Sequence, residues 1–244
     1  MNLHYRTQGF VFKREDRSEA DRVFSVYTRD FGRVEVVGKA IRKINSKLRS
    51  GMGIFSFSEI EFIQGRNKKT LTDAVSISKF NGLAVSPEKL LLSQRISEII
   101  DNFVRGQEVD EKIFNALSDV CNKFNILKYP PLGLELVYCY FFWNFVSALG
   151  YEPQLFNCAH CHQKLNDHNL YFSYSDGGAI CANCRLIKKE SLKIHPDIVK
   201  VLRLILKKDW QILSKLTMEK NSWELLKNVT EFYYLYLKNN FQYE

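Results

Sequence analysis

Apolar and polar residues alternate along the first eighty positions of the chain and then change period. Tyr5 to Lys13 sets Phe10 and Phe12 on one face, with Gly9 as a bend or bulge, and Arg22 to Thr28 is rich in β-branched and aromatic residues. Arg29-Asp30-Phe31-Gly32 reads as a turn and Arg33 to Gly38 as a returning third strand. Phe55 to Gln64 alternates again, Gly65-Arg66-Asn67 turns, and Thr70 to Ser78 completes a fifth strand. Five short strands predict a small barrel. Between the third and fourth lies GKAIRKINSKLRSGM, residues 38 to 52, too long and too polar for a hairpin turn.

From Ser86 the period becomes helical. Ser86 is an N-cap with Pro87 in the first helical position, and Leu91, Leu92, Ile96, Ile99, Ile100 and Phe103 recur three and four apart, as one buried face requires. Gly106 ends that helix, and further helices are expected near residues 110 to 126, 132 to 149, 196 to 216 and 222 to 240. Leu132 to Leu149 is the most apolar stretch, yet it contains Glu135 and Asn144 and reads as a buried helix. No run reaches the ~20 apolar residues that span a bilayer, and Met1 to Thr7 lacks the apolar core of a signal peptide. A cytoplasmic protein without membrane contact is the expectation. With 45% hydrophobic residues, 18 Phe and 12 Tyr, the chain has ample material for a packed core.

CAHCHQKLNDHNLYFSYSDGGAICANC, residues 158 to 184, interrupts the helical region. Two CxxC units match a four-thiolate zinc site, because each turn directs two sulfurs at one ion while a hairpin brings the turns together. Leu170 to Tyr174 reads as one strand of that hairpin, Ser175-Asp176-Gly177-Gly178 as its turn and Ala179-Ile180 as the return. Cys158, Cys161, Cys181 and Cys184 are the candidate ligands of one structural Zn2+; four thiolates fill a tetrahedral ion and leave no position for water or substrate. His160, His162 and His168 stand near enough to replace a cysteine but read as exposed loop residues. Cys121 and Cys139, in apolar helical surroundings, are buried thiols of no metal. A zinc deaminase would need an H-x-E unit ahead of its P-C-x-x-C, which this sequence lacks.

Charge divides the chain. Residues 1 to 80 hold 16 Lys and Arg against 9 Asp and Glu, while the remainder is close to neutral, so the first region attracts a polyanion. Lys39, Arg42, Lys43, Lys47 and Arg49 follow one another without an acid among them; Arg66, Lys68 and Lys69 fall in the expected turn between strands four and five, and Arg33 on the third strand. An oligonucleotide-binding (OB) barrel uses its second and third strands and such loops, cations meeting phosphates and aromatic rings meeting bases. These nine residues are the candidate nucleic-acid contacts. Tyr27 and Phe31 are available for stacking, although barrel packing is the commoner role for each. Gly32 to Ala40 imitates a phosphate-binding loop, but five residues separate its glycines instead of four and Ala40 stands where a Mg2+-binding Ser or Thr is needed. Nucleotide hydrolysis has no basis here, and the chain is read as a binding protein without enzymatic activity.

Taken in order, GFVFKRED, ADRVFSVYTRDFGRVEVVGKA, FSFSEIEF and KTLTDA, then helices interrupted by CxxC…CxxC, closely resemble the RecO family of bacterial recombination mediators. The resemblance runs the whole length and is most specific over residues 8 to 74 and 158 to 184. It implies an α+β protein: an OB domain at 1–80, a helical domain at 81–157 and 189–244, and a zinc-finger insertion at 158–188. It also implies binding of single- and double-stranded DNA, annealing of complementary strands, contacts with RecR and with the C-terminal tail of single-stranded DNA-binding protein, and help in loading RecA, in the cytoplasm at the nucleoid. The alternative from another class is a zinc-ribbon transcription or ribosome-associated factor using the same barrel on RNA.

Overall fold

The computed structural model describes residues 3–79, 86–126, 131–166 and 169–241. These divide into two compact units, residues 1–134 and 135–244.

In the first unit five strands, β1 (His4–Asp16), β2 (Arg22–Thr28), β3 (Gly32–Gly38), β4 (Ser56–Gln64) and β5 (Lys69–Lys79), close into a barrel in the order β1-β2-β3-β5-β4. All neighbours are antiparallel except β3 and β5, which run parallel and join through Val36–Lys69 and Val37–Thr70. That order, with one parallel closure, is a five-stranded Greek-key barrel of the OB type. Val11, Phe24, Val26, Val34, Val36, Ile60, Phe62 and Leu71 fill it. The β1 bulge falls between Val11 and Lys13 and not at Gly9, whose missing side chain instead makes room for Val26 and Thr28 on the paired strand. Gly32 is required twice over: its φ is +59°, and a Cβ there would lie 2.2 Å from the Glu108 carbonyl.

The long connection after β3 is more than a solvated loop. Ile41 and Met52 are buried in the barrel core with Leu48 packed against them, so these three close the barrel while Ile44 and the segment's cations face out. Two helices cover the barrel's outer surface beside β1 and β4. They are α1 (Pro87–Phe103) and α2 (Glu111–Ile126). Ser86 caps α1 by accepting from the Lys89 N–H at 3.3 Å. Leu92, Ile96, Ile99, Ile100 and Phe103 are buried as their spacing requires, but Leu91 is 61% exposed: one position from Leu92 lies ~100° around the helix, at the stripe's outer edge. Ser97 donates to the Phe12 carbonyl, and Phe57 meets Phe114 edge to face.

The second unit takes most of α3 (Pro131–Ala148), a three-stranded sheet, and the helices α4 (Ala182–Arg185), α5 (Pro196–Leu206), α6 (Trp210–Leu213) and α7 (Lys220–Phe241). No described helix is long and apolar enough to cross a membrane. Trp143 on α3 stacks on Tyr233 of α7 and donates to Thr230, while Asn144 satisfies its amide on the Tyr140 and Ile205 carbonyls. The single helix expected over 196 to 216 is broken. Lys208 turns to a φ of +57°, and Asp209 caps a new short helix by accepting from Ile212. The sheet is β6 (Leu170–Ser173) flanked by β7 (Gly178–Ile180) and by β8 (Ser191–Ile194), a strand beyond the expected hairpin.

Candidate functional site

Two features carry chemistry, one in each unit. In the second, β6, its turn and β7 carry the chain from one CxxC to the other. Ala159 donates to the Ala179 carbonyl and His162 to that of Cys158, folding the first knuckle against the hairpin; Cys181 opens α4, which places Cys184 one turn later. The four Sγ atoms lie within 4.8 Å of one another, with Cys161 and Cys181 3.9 Å apart. Tetrahedral thiolates ~2.3 Å from one zinc stand about 3.8 Å from each other, so the set fits that ion. Burial pushes the Cys158 thiol up, but the backbone N–H groups of Cys161, Cys181 and His160 outweigh it and bring it down to about 6, the thiolate side that a ligand needs. The Cys184 thiol is pushed up by burial, then by hydrogen bonding to the sulfurs of Cys181, Cys161 and Cys158, which keeps its proton, and last by the charge of Cys158; a cation at their centre would favour the thiolate instead.

Among the described residues no histidine joins the cluster. His160 instead reaches Asp176 at 3.2 Å, His162 is exposed, and His168 lies outside the described residues. Asp176 is held below the usual carboxylate range: burial opposes its charge, but Ser173, Lys188 and His160 prevail. Cys121 and Cys139 are buried elsewhere, with burial raising the Cys121 thiol well above its ordinary value.

In the first unit a cleft of about 450 Å3 opens on the outer face of β2 and β3. Val23, Arg33, Glu35 and Val37 form its floor, Arg17 stands on one side in the β1–β2 loop, and Gln64, Asn67, Lys68 and Lys69 on the other in the β4–β5 hairpin. Gly106 and Gln107, between α1 and α2, border it. The expected residues do not all converge there. Arg33, Lys68 and Lys69 line the cleft, and Arg66 is exposed in the same hairpin. Arg33 is also committed within the protein, binding Asp101 at 2.6 Å and the Val104 carbonyl at 2.8 Å, and lying over the Phe12 ring. Lys39, Arg42, Lys43, Lys47 and Arg49 are exposed on the barrel-closing segment, where Arg42 ties to Asp16 at 3.3 Å and to the Ser18 carbonyl.

Arg17 escaped the sequence reading because RED-RSEAD alternates sign and shows no net basic run; its significance comes from the loop it occupies. The stacking candidates are both in packing roles. Tyr27 is fully buried, its hydroxyl accepting from the Asp110 N–H at 3.0 Å beside the Glu108 and Asp110 carbonyls, and Phe31 meets Tyr5 and Phe62 edge to face.

Comparison with known families decides which barrel-and-finger protein this is. Residues 1–80 match the model of the recombination protein O N-terminal domain, and residues 85–238 that of its C-terminal domain. The chain belongs to the RecO family. A protein named DNA repair protein RecO from Dehalococcoides mccartyi is 30% identical over 205 residues, covering 84% of this chain and 79% of the relative. Proteins of the same name from a Roseiflexus species and from Alkaliphilus metalliredigens are 27% and 25% identical, covering 87% and 93% of this chain and 73% and 91% of the relatives. RecO proteins are thus named for DNA repair and recombination, and this chain carries both family domains with a four-cysteine cluster able to hold a metal ion.

Proposed function

We propose that this RecO-family chain is a recombination mediator. It binds single- and double-stranded DNA, anneals complementary strands and, with RecR, helps load RecA onto DNA coated with single-stranded DNA-binding protein, whose C-terminal tail it also contacts. It acts at the bacterial nucleoid and catalyses no covalent step. Annealing requires none, because neutralising phosphates lowers the repulsion between two strands. The observation that carries this reading is the cationic cleft on β2 and β3, framed by the β1–β2 and β4–β5 loops, the surface through which OB barrels take nucleic acid.

DNA contacts are assigned to Arg66, Lys68 and Lys69 with Arg17 added, continuing over Lys39, Arg42, Lys43, Lys47 and Arg49; Arg33 supports the floor of the cleft. Cys158, Cys161, Cys181 and Cys184 hold one structural zinc in a finger at 158–188, inserted in a helical domain of 81–157 and 189–244 that follows the barrel at 1–80.

Two measurements test this. The protein should accelerate pairing of complementary strands coated with single-stranded DNA-binding protein, which a factor restricted to RNA would not do. Replacing Arg42, Lys43 and Lys47 together by Ala should lower the slope of log affinity against log salt by about two to three, since each phosphate contact contributes ~0.7 to 0.9. An unchanged slope in the folded variant removes the barrel-closing segment from the contact surface.

A further inference from the structure

The cleft contains cations but no exposed ring. Among the described residues of the barrel, Phe10, Phe12, Phe24, Tyr27, Phe55, Phe57 and Phe62 are buried, and the remaining aromatics, Tyr5 and Phe31, are half-buried against Phe62 and each other. The outward positions of β2 and β3 alternate as Val23, Ser25, Tyr27 and Arg33, Glu35, Val37, with the opposite set, Phe24, Val26, Val34 and Val36, inside. Tyr27 is the one aromatic in the outward rows. It is covered by the segment from Glu108 to Asp110, which binds its hydroxyl and leaves the ring no exposed surface. The same α1–α2 connection supplies Gly106 and Gln107 to the rim, so one segment both borders the cleft and hides its only candidate platform.

Sequence-tolerant single-strand binding normally combines a cationic track with aromatic platforms, each stacked base adding about fivefold to more than a hundredfold in affinity. Here the first component is present and the second is covered. We infer that the cleft grips a strand by its phosphates alone and leaves the bases unstacked, turned outward and free to pair. This rests on the nucleic-acid reading above and adds the form in which the strand is held. Bases stacked on rings must be released before they test a complement, whereas a strand bound through its backbone presents them throughout. The groups that bind are then not the groups that pair, and annealing needs no displacement step.

The test uses the whole protein and three oligonucleotides of one length: oligothymidylate, a mixed sequence, and a backbone of abasic residues throughout. Fluorescence anisotropy at one salt concentration should give affinities agreeing within about threefold, with equal salt slopes, because counterion release depends on phosphates and not on bases. Binding of both base-bearing strands with a tenfold or greater loss for the abasic one would overturn the inference and leave the nucleic-acid function standing. Binding of none of the three would overturn that function and the inference with it. As a second readout, permanganate should oxidise thymines of the bound oligothymidylate as readily as those of the free strand; protection on binding would show the bases stacked and sink the proposal.

Discussion

Arg33 shows how a residue's environment alters its meaning. In the sequence it is one more cation of a basic region, but in the fold Asp101, 68 positions further on, binds it and also takes Lys13 at 2.8 Å. No local pattern announces such a partner. Burial opposes the Asp101 charge, but Lys13 and Arg33 overcome it and hold the carboxyl below its ordinary value. The stability contributed by a carboxylate with a depressed native pKa is fully present above the unfolded value of ~3.9 and is lost as pH falls through the native value. Asp101→Asn should therefore lower stability by about 1–3 kcal/mol at neutral pH, where it leaves a half-buried guanidinium with a weaker partner. The difference from the parent should close below about pH 4 as the parent carboxyl is protonated. Urea unfolding at several pH values measures it, and a pH-independent difference would show the effect to be steric.

At the scale of elements, the barrel was legible and the end of the helical unit less so. All five strands stand where alternation placed them, because each has one face in the core and one outside, and that asymmetry is written at period two. Strand β8 was not legible. Its four residues are mostly half-exposed, and it exists because β6 offers an unpaired edge through Ser173–Ser191 to Leu170–Ile194. The α5–α6 break was missed because apolar spacing continues across it, while the capping aspartate is a single-residue signal. Lys208 is in the left-handed region at the break, a conformation that costs a residue with a Cβ roughly 1 kcal/mol relative to glycine. Lys208→Gly should accordingly hold stability level or raise it by up to ~1 kcal/mol, whereas the same change inside α5 would cost about that amount. Thermal unfolding of Lys208→Gly beside Lys200→Gly checks the sign at each site.

For the molecule as a whole, the four-cysteine cluster and the cationic cleft belong to different compact units, and the proposed roles predict that they separate by experiment. Around the cysteines the buried cluster is small: Cys158, Ile180 and Cys184, with Ala159, Leu165, Tyr171 and Cys181 partly buried against it. So few apolar side chains cannot offset the ordering of a segment this long, for which each residue costs roughly 1–2 kcal/mol in backbone entropy. With the proposed zinc bound, four thiolates on one ion would supply the missing part, on the order of 10 kcal/mol as in small finger peptides. The spacing of the cysteines disclosed in the sequence that the four sulfurs would converge. The cleft was less legible, because its walls come from loops and strands spread from Arg17 to Gln107 and only the fold assembles them. Removing the metal with a chelator under reducing conditions should therefore open residues 158–188 to proteolysis and lower the thermal stability of the second unit. Far-ultraviolet dichroism should lose little helix, since α3, α5 and α7 keep their own core of Trp143, Leu202, Leu226 and Tyr233. Oligonucleotide affinity should stay within about twofold, because the proposed phosphate contacts are cations on the barrel and not on the finger. A collapse of affinity on chelation would mean that the finger itself holds the strand, and the cleft would then be a minor contact.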